Sequence, residues 1–254
     1  MNSKPIGVFD SGIGGLSLID EIRKTLPNES IIYFADRANF PYGDKPQIQI
    51  RKIAGNNVAW LLNQRVKLIV IACNTATISA ITYLREKFPN ISFVGMEPAV
   101  KPASAKSKKG IIILSSPKAT KSKQLRILIN NYANNIKVFN IGSLELVQAI
   151  EEEWDPAKID RILEVLLPQK IICQADKLVL GCTHFSLIRD QIQKHIGIKI
   201  EIIDSREAVA RRIKSVLREG NLLNTKTNAI YKFCTTGKAM RIRDISFKRV
   251  VIHS

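Results

Sequence analysis

The chain has 254 residues, 45% of them hydrophobic and 24% charged, with a net charge of +17. That length suits one large or two small domains, each able to bury a core. No apolar run reaches the roughly 18 residues of a membrane-spanning helix, and the start, MNSKPIGVFDSG, lacks the basic-then-apolar layout of a signal peptide, so a cytoplasmic protein is expected.

In chain order, short apolar runs predict strands at Ile6–Phe9, Ile31–Phe34, Leu68–Ala72, Phe93–Gly95, Ile111–Leu114, Lys137–Asn140, Leu178–Gly181 and Glu201–Asp204. Amphipathic patterns between them predict helices at Leu16–Leu26, Pro46–Asn63, Ile78–Phe88, Ser122–Tyr132, Ala157–Cys173, Leu187–His195 and Arg206–Arg218. Strand–helix alternation argues for α/β architecture with mainly parallel sheets flanked by helices. The lysine-rich stretch 101–109 is expected to cross between two halves, and the chain after about 207 to be mostly helical, returning to the first half.

The segment LVLGCTHFSLI (178–188) repeats the layout of IVIACNTATISAI (69–81): apolar strand, small residue, cysteine, small polar pair, helix. IGVFDSG (6–12) has a fainter echo in IIILSSP (111–117). The chain therefore reads as two pseudo-symmetric copies of one unit. The expected domains are 1–97 plus 208–254, and 98–207, each three-layered, with the active site in the cleft between them. Ligands of such folds bind beyond the carboxyl ends of the strands, where Asp10, Ser11, Cys73 and Cys182 fall.

Four cysteines without CxxC pairs and three histidines (His184, His195 and His253) without zinc spacing signal neither a disulfide framework nor a metal site. Cys173 and Cys234 read as packing residues. DSGIGGLS is no nucleotide loop, because a dinucleotide fingerprint needs glycine where Ser17 stands and a P-loop needs lysine where Ile13 stands. Two thiols on opposite faces of a substrate can invert a stereocentre: one removes a proton from carbon and the other delivers one. That scheme requires no metal or organic cofactor. His184 can relay a proton or polarise, Asp10 can orient the first thiol, and Ser11, Asn74, Thr75 and Thr183 can hold carboxylates. For Thr75 and Thr77, helix capping explains the residue equally well.

GVFDSGIGGLS, YFADRANFPYGDK, ACNTAT, EP at 97–98, LGCTHFSLI, IIDSREAVA and YKFCTTG resemble, in order and spacing, the motifs of the glutamate racemase family. The resemblance implies a cofactor-independent isomerase of two α/β domains that interconverts L- and D-glutamate and supplies D-glutamate for peptidoglycan. It assigns Cys73, aided by Asp10, to the proton of D-glutamate. Cys182, aided by His184 and Glu151 (with Glu152 the reserve), is assigned to the proton of L-glutamate. Substrate contacts carry over to Ser11, Tyr42, Gly43, Asn74, Thr75, Ser116 and Thr183. Two departures bear on the distal carboxylate: Ala119 stands where a second threonine is usual, with Thr120 next to it, and Gly142-Ser143 replaces a Cys-Pro pair.

Aspartate racemisation is the nearest alternative, since the two substrates differ by one methylene. A thiol hydrolase built on Cys182 and His184 leaves the Cys73 copy unexplained. The charge gives a third reading, an anion- or nucleic-acid-binding protein: residues 101–123 hold seven lysines and no acid, and residues 205–254 hold twelve basic residues against three acids. No nucleic-acid module accompanies the charge. The expected partner is a small molecule, glutamate; neither membrane nor nucleic acid is expected, and a homodimer is allowed.

Overall fold

The computed structural model describes residues 3–237; His253 and the basic residues from Lys238 onward lie outside the described residues. The chain divides into two compact units. One runs up to Met96 and resumes at Arg206; the other is Glu97–Ser205.

The first unit begins with β1 (Ile6–Asp10), α1 (Leu16–Thr25), β2 (Ile31–Ala35), α2 (Gln47–Asn63), β3 (Leu68–Ile71), α3 (Asn74–Lys87) and β4 (Phe93–Gly95). The second unit comprises α4 (Val100–Lys106), β5 (Ile111–Ser115), α5 (Pro117–Thr120), α6 (Lys123–Tyr132), β6 (Val138–Gly142), α7 (Leu144–Gln148), α8 (Pro156–Leu166), α9 (Gln169–Ile172), β7 (Lys177–Gly181), α10 (Thr183–Leu187), α11 (Arg189–Ile196) and β8 (Glu201–Ile203). The first unit then resumes with α12 (Arg206–Glu219) and β9 (Tyr231–Thr235).

The sheet of the first unit has the order β4-β3-β1-β2-β9, and that of the second β6-β5-β7-β8, with every pairing parallel. Read from the other edge, the second order is β8-β7-β5-β6, the topology of β4-β3-β1-β2. The sequence echo is thus a topological one: β1 corresponds to β5 and β3 to β7, and β9 is the addition.

Strands β1, β2 and β3 are buried throughout, as a parallel sheet covered on both faces requires. Side chains alternate between faces. Phe9, Ile69 and Ile71 join a cluster with Ile50, Ala54 and Val58 of α2 and Ala76, Ala80 and Leu84 of α3. Their neighbours Ile6, Val8, Leu68 and Val70 are equally buried. Helices α1 and α12 pack on each other and bury Leu18, Ile22, Ile213 and Leu217. Helix–sheet–helix layering follows.

The eight expected strands are present, each within two residues of its expected bounds. Several other expectations change. The expected helix Ala157–Cys173 is two helices, because Pro168 lacks an N–H and drives Leu167 out of helical geometry. The expected helix Leu187–His195 starts earlier, at Thr183, and breaks at Ile188 into α10 and α11. The lysine stretch 101–109 is not a linker: Val100 and Ala103 of α4 sit in the core of the second unit beside Ile111, Ile113 and Leu125. The chain after 207 is helical only to Glu219; Tyr231–Thr235 forms β9 against β2.

A buried ion pair holds the segment leading into β9. Lys67 Nζ lies 2.5 Å from Glu29 Oε2, both side chains almost fully buried. Lys67 also donates to the Leu222 carbonyl, 2.7 Å, and Glu29 Oε1 accepts from the Asn224 N–H, 2.8 Å. Removing one member of such a pair strands the other, at about 3–5 kcal/mol, whereas an exposed pair such as Lys106–Glu201 contributes roughly 0–1 kcal/mol. Urea denaturation of Lys67→Ala and Lys106→Ala should show that contrast. Equal midpoints would contradict the anchoring role.

Candidate active site

In the first unit the carboxyl ends of β1 and β3 lie side by side, since Phe9 pairs with Ile71. Asp10 is fully buried at the end of β1. Its Oδ1 accepts from Ser11 Oγ and from the Gly12 N–H, both at 3.2 Å. Ser11 Oγ in turn lies 3.8 Å from Cys73 Sγ. Cys73 is the N-cap of α3, its sulfur accepting from the Ala76 N–H at 3.4 Å. Helix α3 therefore starts at Asn74, four residues before the periodicity suggested, because the thiol takes the place of a capping hydroxyl. The N-terminus of a 14-residue helix is where negative charge on sulfur is best held.

Asn74 Nδ2 donates to the Met96 carbonyl at 3.3 Å, while its Oδ1 is buried with no hydrogen-bond partner. A buried acceptor left unpaired costs about 1–3 kcal/mol, and an arriving N–H donor removes that cost. Thr75 is buried beside it. Thr77 serves the fold: its hydroxyl donates to the Ile71 carbonyl and accepts from the Met96 N–H, tying β3 to β4.

Tyr42 is buried, and its hydroxyl donates to Asp36 Oδ2 at 2.6 Å and accepts from Asn57 Nδ2 at 3.0 Å. Asp36 also accepts from Asn39 and from Thr236 Oγ1. Burial, reinforced by the Asp36 carboxylate, holds the Tyr42 hydroxyl well above the usual tyrosine range, so it stays neutral. The phenol is thus committed to the interior, and backbone at Tyr42–Gly43 is what this loop can offer a ligand. Sequence reasoning passed over Asp36 and Asn57. The available signal was an aspartate directly after β2, beside the one that ends β1.

In the second unit Ser115 pairs with Gly181, so the ends of β5 and β7 are likewise adjacent. Ser116 caps α5, its hydroxyl accepting from the Ala119 N–H at 3.3 Å. Thr120 Oγ1 donates to the Pro117 carbonyl, 2.7 Å. Ser143 caps α7. Cys182 is half-buried at the N-cap of the five-residue α10 and makes no capping bond. Thr183 and His184 are buried behind it. His184 Nδ1 lies 3.9 Å from Cys182 Sγ, and Nε2 lies 2.9 Å from Glu151 Oε2. Glu151 is buried on a π-type turn, Ala149–Glu153, whereas Glu152 is exposed. Among the described residues no group of three or more His, Cys, Asp or Glu is arranged to hold a metal.

Burial alone would pull His184 down, but hydrogen bonds and charge from Cys182 and Glu151 outweigh it and hold the imidazole well above its usual range. The two ring nitrogens thus face sulfur on one side and a buried carboxylate on the other. A histidine raised on folding stabilises the fold at low pH, and that contribution is lost as pH rises through the raised value. With three histidines in the chain, NMR can follow His184 alone. Its titration should lie above the usual histidine range and fall in Glu151→Gln, where burial is less opposed. An unchanged titration in that variant would contradict the assignment.

Comparison with known proteins agrees with this geometry. The Asp/Glu/Hydantoin racemase family matches residues 6–213. A glutamate racemase from Roseiflexus is 37% identical over 249 residues, covering 96% of this chain and 91% of its own. The glutamate racemase of Escherichia coli, solved with L-glutamate and the activator UDP-MurNAc-ala, superposes with a TM-score of 0.79 at 33% identity, over 91% of this chain and 89% of its own. That of Francisella tularensis, solved with D-glutamate, superposes with a TM-score of 0.82 at 29% identity, over 100% and 98%. With a family match over most of its length and two copies of one thiol-bearing unit, this chain is a member of the Asp/Glu/Hydantoin racemase family.

Proposed function

We propose that the protein interconverts L- and D-glutamate by two-base proton transfer, with Cys73 acting on the D enantiomer and Cys182 on the L enantiomer. The observation that carries this reading is the thiol at the same topological position, the end of β3 and of β7, in two units of the same strand order. A hydrolase needs one nucleophile and one base; Cys182, His184 and Glu151 offer such a set, but it gives Cys73 no task. An inversion needs two groups able to take and give a proton.

In the D-to-L direction, Cys73 as thiolate takes the α-proton, oriented by Ser11 and Asp10. Cys182 as thiol gives a proton to the opposite face, and the His184 imidazolium, held by Glu151, restores it. In the L-to-D direction the roles exchange. The α-carbon of a carboxylate is a poor acid, so charge developing there must be met by donors already in place. The amide end of α3 and the hydroxyls of Ser11, Thr75, Ser116 and Thr183 are the groups we assign to the carboxylates, with backbone at Tyr42–Gly43. Asn74 Oδ1, the buried acceptor without a partner, is assigned to the substrate ammonium. No step in this scheme calls on a cofactor. The product serves peptidoglycan synthesis in the cytoplasm.

Glutamate rather than aspartate is favoured by relatives that are glutamate racemases at 36–40% identity. One methylene supplies roughly 1–3 kcal/mol of discrimination. A circular-dichroism assay with each enantiomer of both acids should show glutamate turned over at least about tenfold faster, with kcat/KM lowered by about 10³ or more in both Cys73→Ala and Cys182→Ala. Appreciable racemisation by either variant would reject the two-base reading, and faster turnover of aspartate would reject the substrate.

A further inference from the structure

We infer that Tyr33 is a positioning residue for the Cys73 half of the reaction, and that β9 exists to seat it. This inference rests on the racemase reading. Tyr33 lies in β2, fully buried, at the head of the YFADRANFPYGDK motif, and the resemblance assigns it no role. Its hydroxyl donates to the Gly12 carbonyl at 2.6 Å, a short bond at the residue whose own N–H fixes Asp10 Oδ1. A chain of contacts follows: Tyr33 holds Gly12, Gly12 and Ser11 hold Asp10, and Ser11 Oγ touches Cys73 Sγ.

The other side of the carboxylate is equally fixed. A Cβ placed on Gly15 would stand 2.9 Å from Asp10 Oδ2, 2.9 Å from the Tyr33 hydroxyl and 2.8 Å from Ala72 Cβ. These distances are too short for carbon, so the Gly15 backbone fills the space between carboxylate and phenol. Its φ of −67° suits any residue, so the glycine is required for space and not for backbone freedom.

The ring of Tyr33 is held from β9, where Phe233 stacks on it with centroids 5.4 Å apart at 28°. The approach to β9 is bound to the first unit by Lys67 on the Leu222 carbonyl, Asn224 on Glu29 and on the Asn28 carbonyl, and Ile230 on Ser30. The fifth strand, which has no counterpart in the second unit, thus supplies the rear wall of the one half-site whose acid is a strand-end carboxylate.

Isotope effects test this, because α-deuterium leaves D-glutamate at Cys73 and L-glutamate at Cys182. Tyr33→Phe keeps the stacked ring and removes the donor to Gly12. kcat/KM should fall about tenfold, equally in both directions, since enantiomers in water are equal in free energy. The ratio of the primary deuterium effect on D-glutamate to that on L-glutamate should rise, because only the Cys73 step has slowed. That ratio is independent of how much protein is folded, so a merely destabilising change leaves it at the wild-type value. Gly15→Ala, reaching the same carboxylate from its other side, should move the ratio in the same direction. A wild-type ratio in both variants overturns the inference. Absence of racemisation by the wild-type protein would instead overturn the functional reading on which it stands.

Discussion

Two parallel strands laid side by side end on the same edge of their sheet, and everything chemical in this protein depends on that constraint. Because β1 pairs with β3, the residues that leave the sheet after them, Asp10-Ser11 and Cys73, arrive within contact of each other. Because β5 pairs with β7, with Ser115 opposite Gly181, Ser116 and Cys182 leave the second sheet at the same edge. The burial of Ile6, Val8, Ile69 and Val70 holds both strands between two covering layers. The hydrophobic pattern of the strands is therefore what aims the thiols.

The two thiols are equivalent in topology and different in surroundings. Cys73 is buried at the start of a 14-residue helix, takes a bond from a helix amide, and has a serine and a carboxylate behind it. Cys182 is half-buried at the start of a five-residue helix, takes no side-chain capping bond, and faces an imidazole backed by a carboxylate. Where the helix is short, a histidine–glutamate pair stands beside the sulfur. The two units thus share a strand-end sulfur and differ in the groups beside it.

Much of this was legible in the sequence, and the reasons are specific. Strands buried on both faces are written as unbroken apolar runs, so LIVI and LVLG mark themselves. The paired cysteine motifs gave both thiols and their strand-end placement. β9 escaped notice because YKFCT follows the polar stretch 224–228 and has an exposed lysine at its second position; it is a strand because β2 offers it an edge. The helix expected across Pro168 reflects weighting apolar periodicity above backbone chemistry. The choice between Glu151 and Glu152 depends on a π-type turn that no spacing rule anticipates. The commitment of Tyr42 to Asp36 and the place of Tyr33 behind Gly12 come from contacts between residues that sequence order does not pair. The lysine-rich stretch 101–109 suggests a crossing between the halves, but Val100 and Ala103 carry the packing information there.

The account comes down to two sulfur atoms acting as separate acids and bases on one carbon. Deuterium oxide tests this directly. Each enantiomer is converted to a few per cent in heavy water, and substrate and product are separated and weighed by mass spectrometry. The account predicts one deuterium in essentially every product molecule and almost none in the recovered substrate, for both enantiomers. Product that keeps its original hydrogen, or substrate labelled as fast as product forms, would show a single base serving both faces and would contradict it.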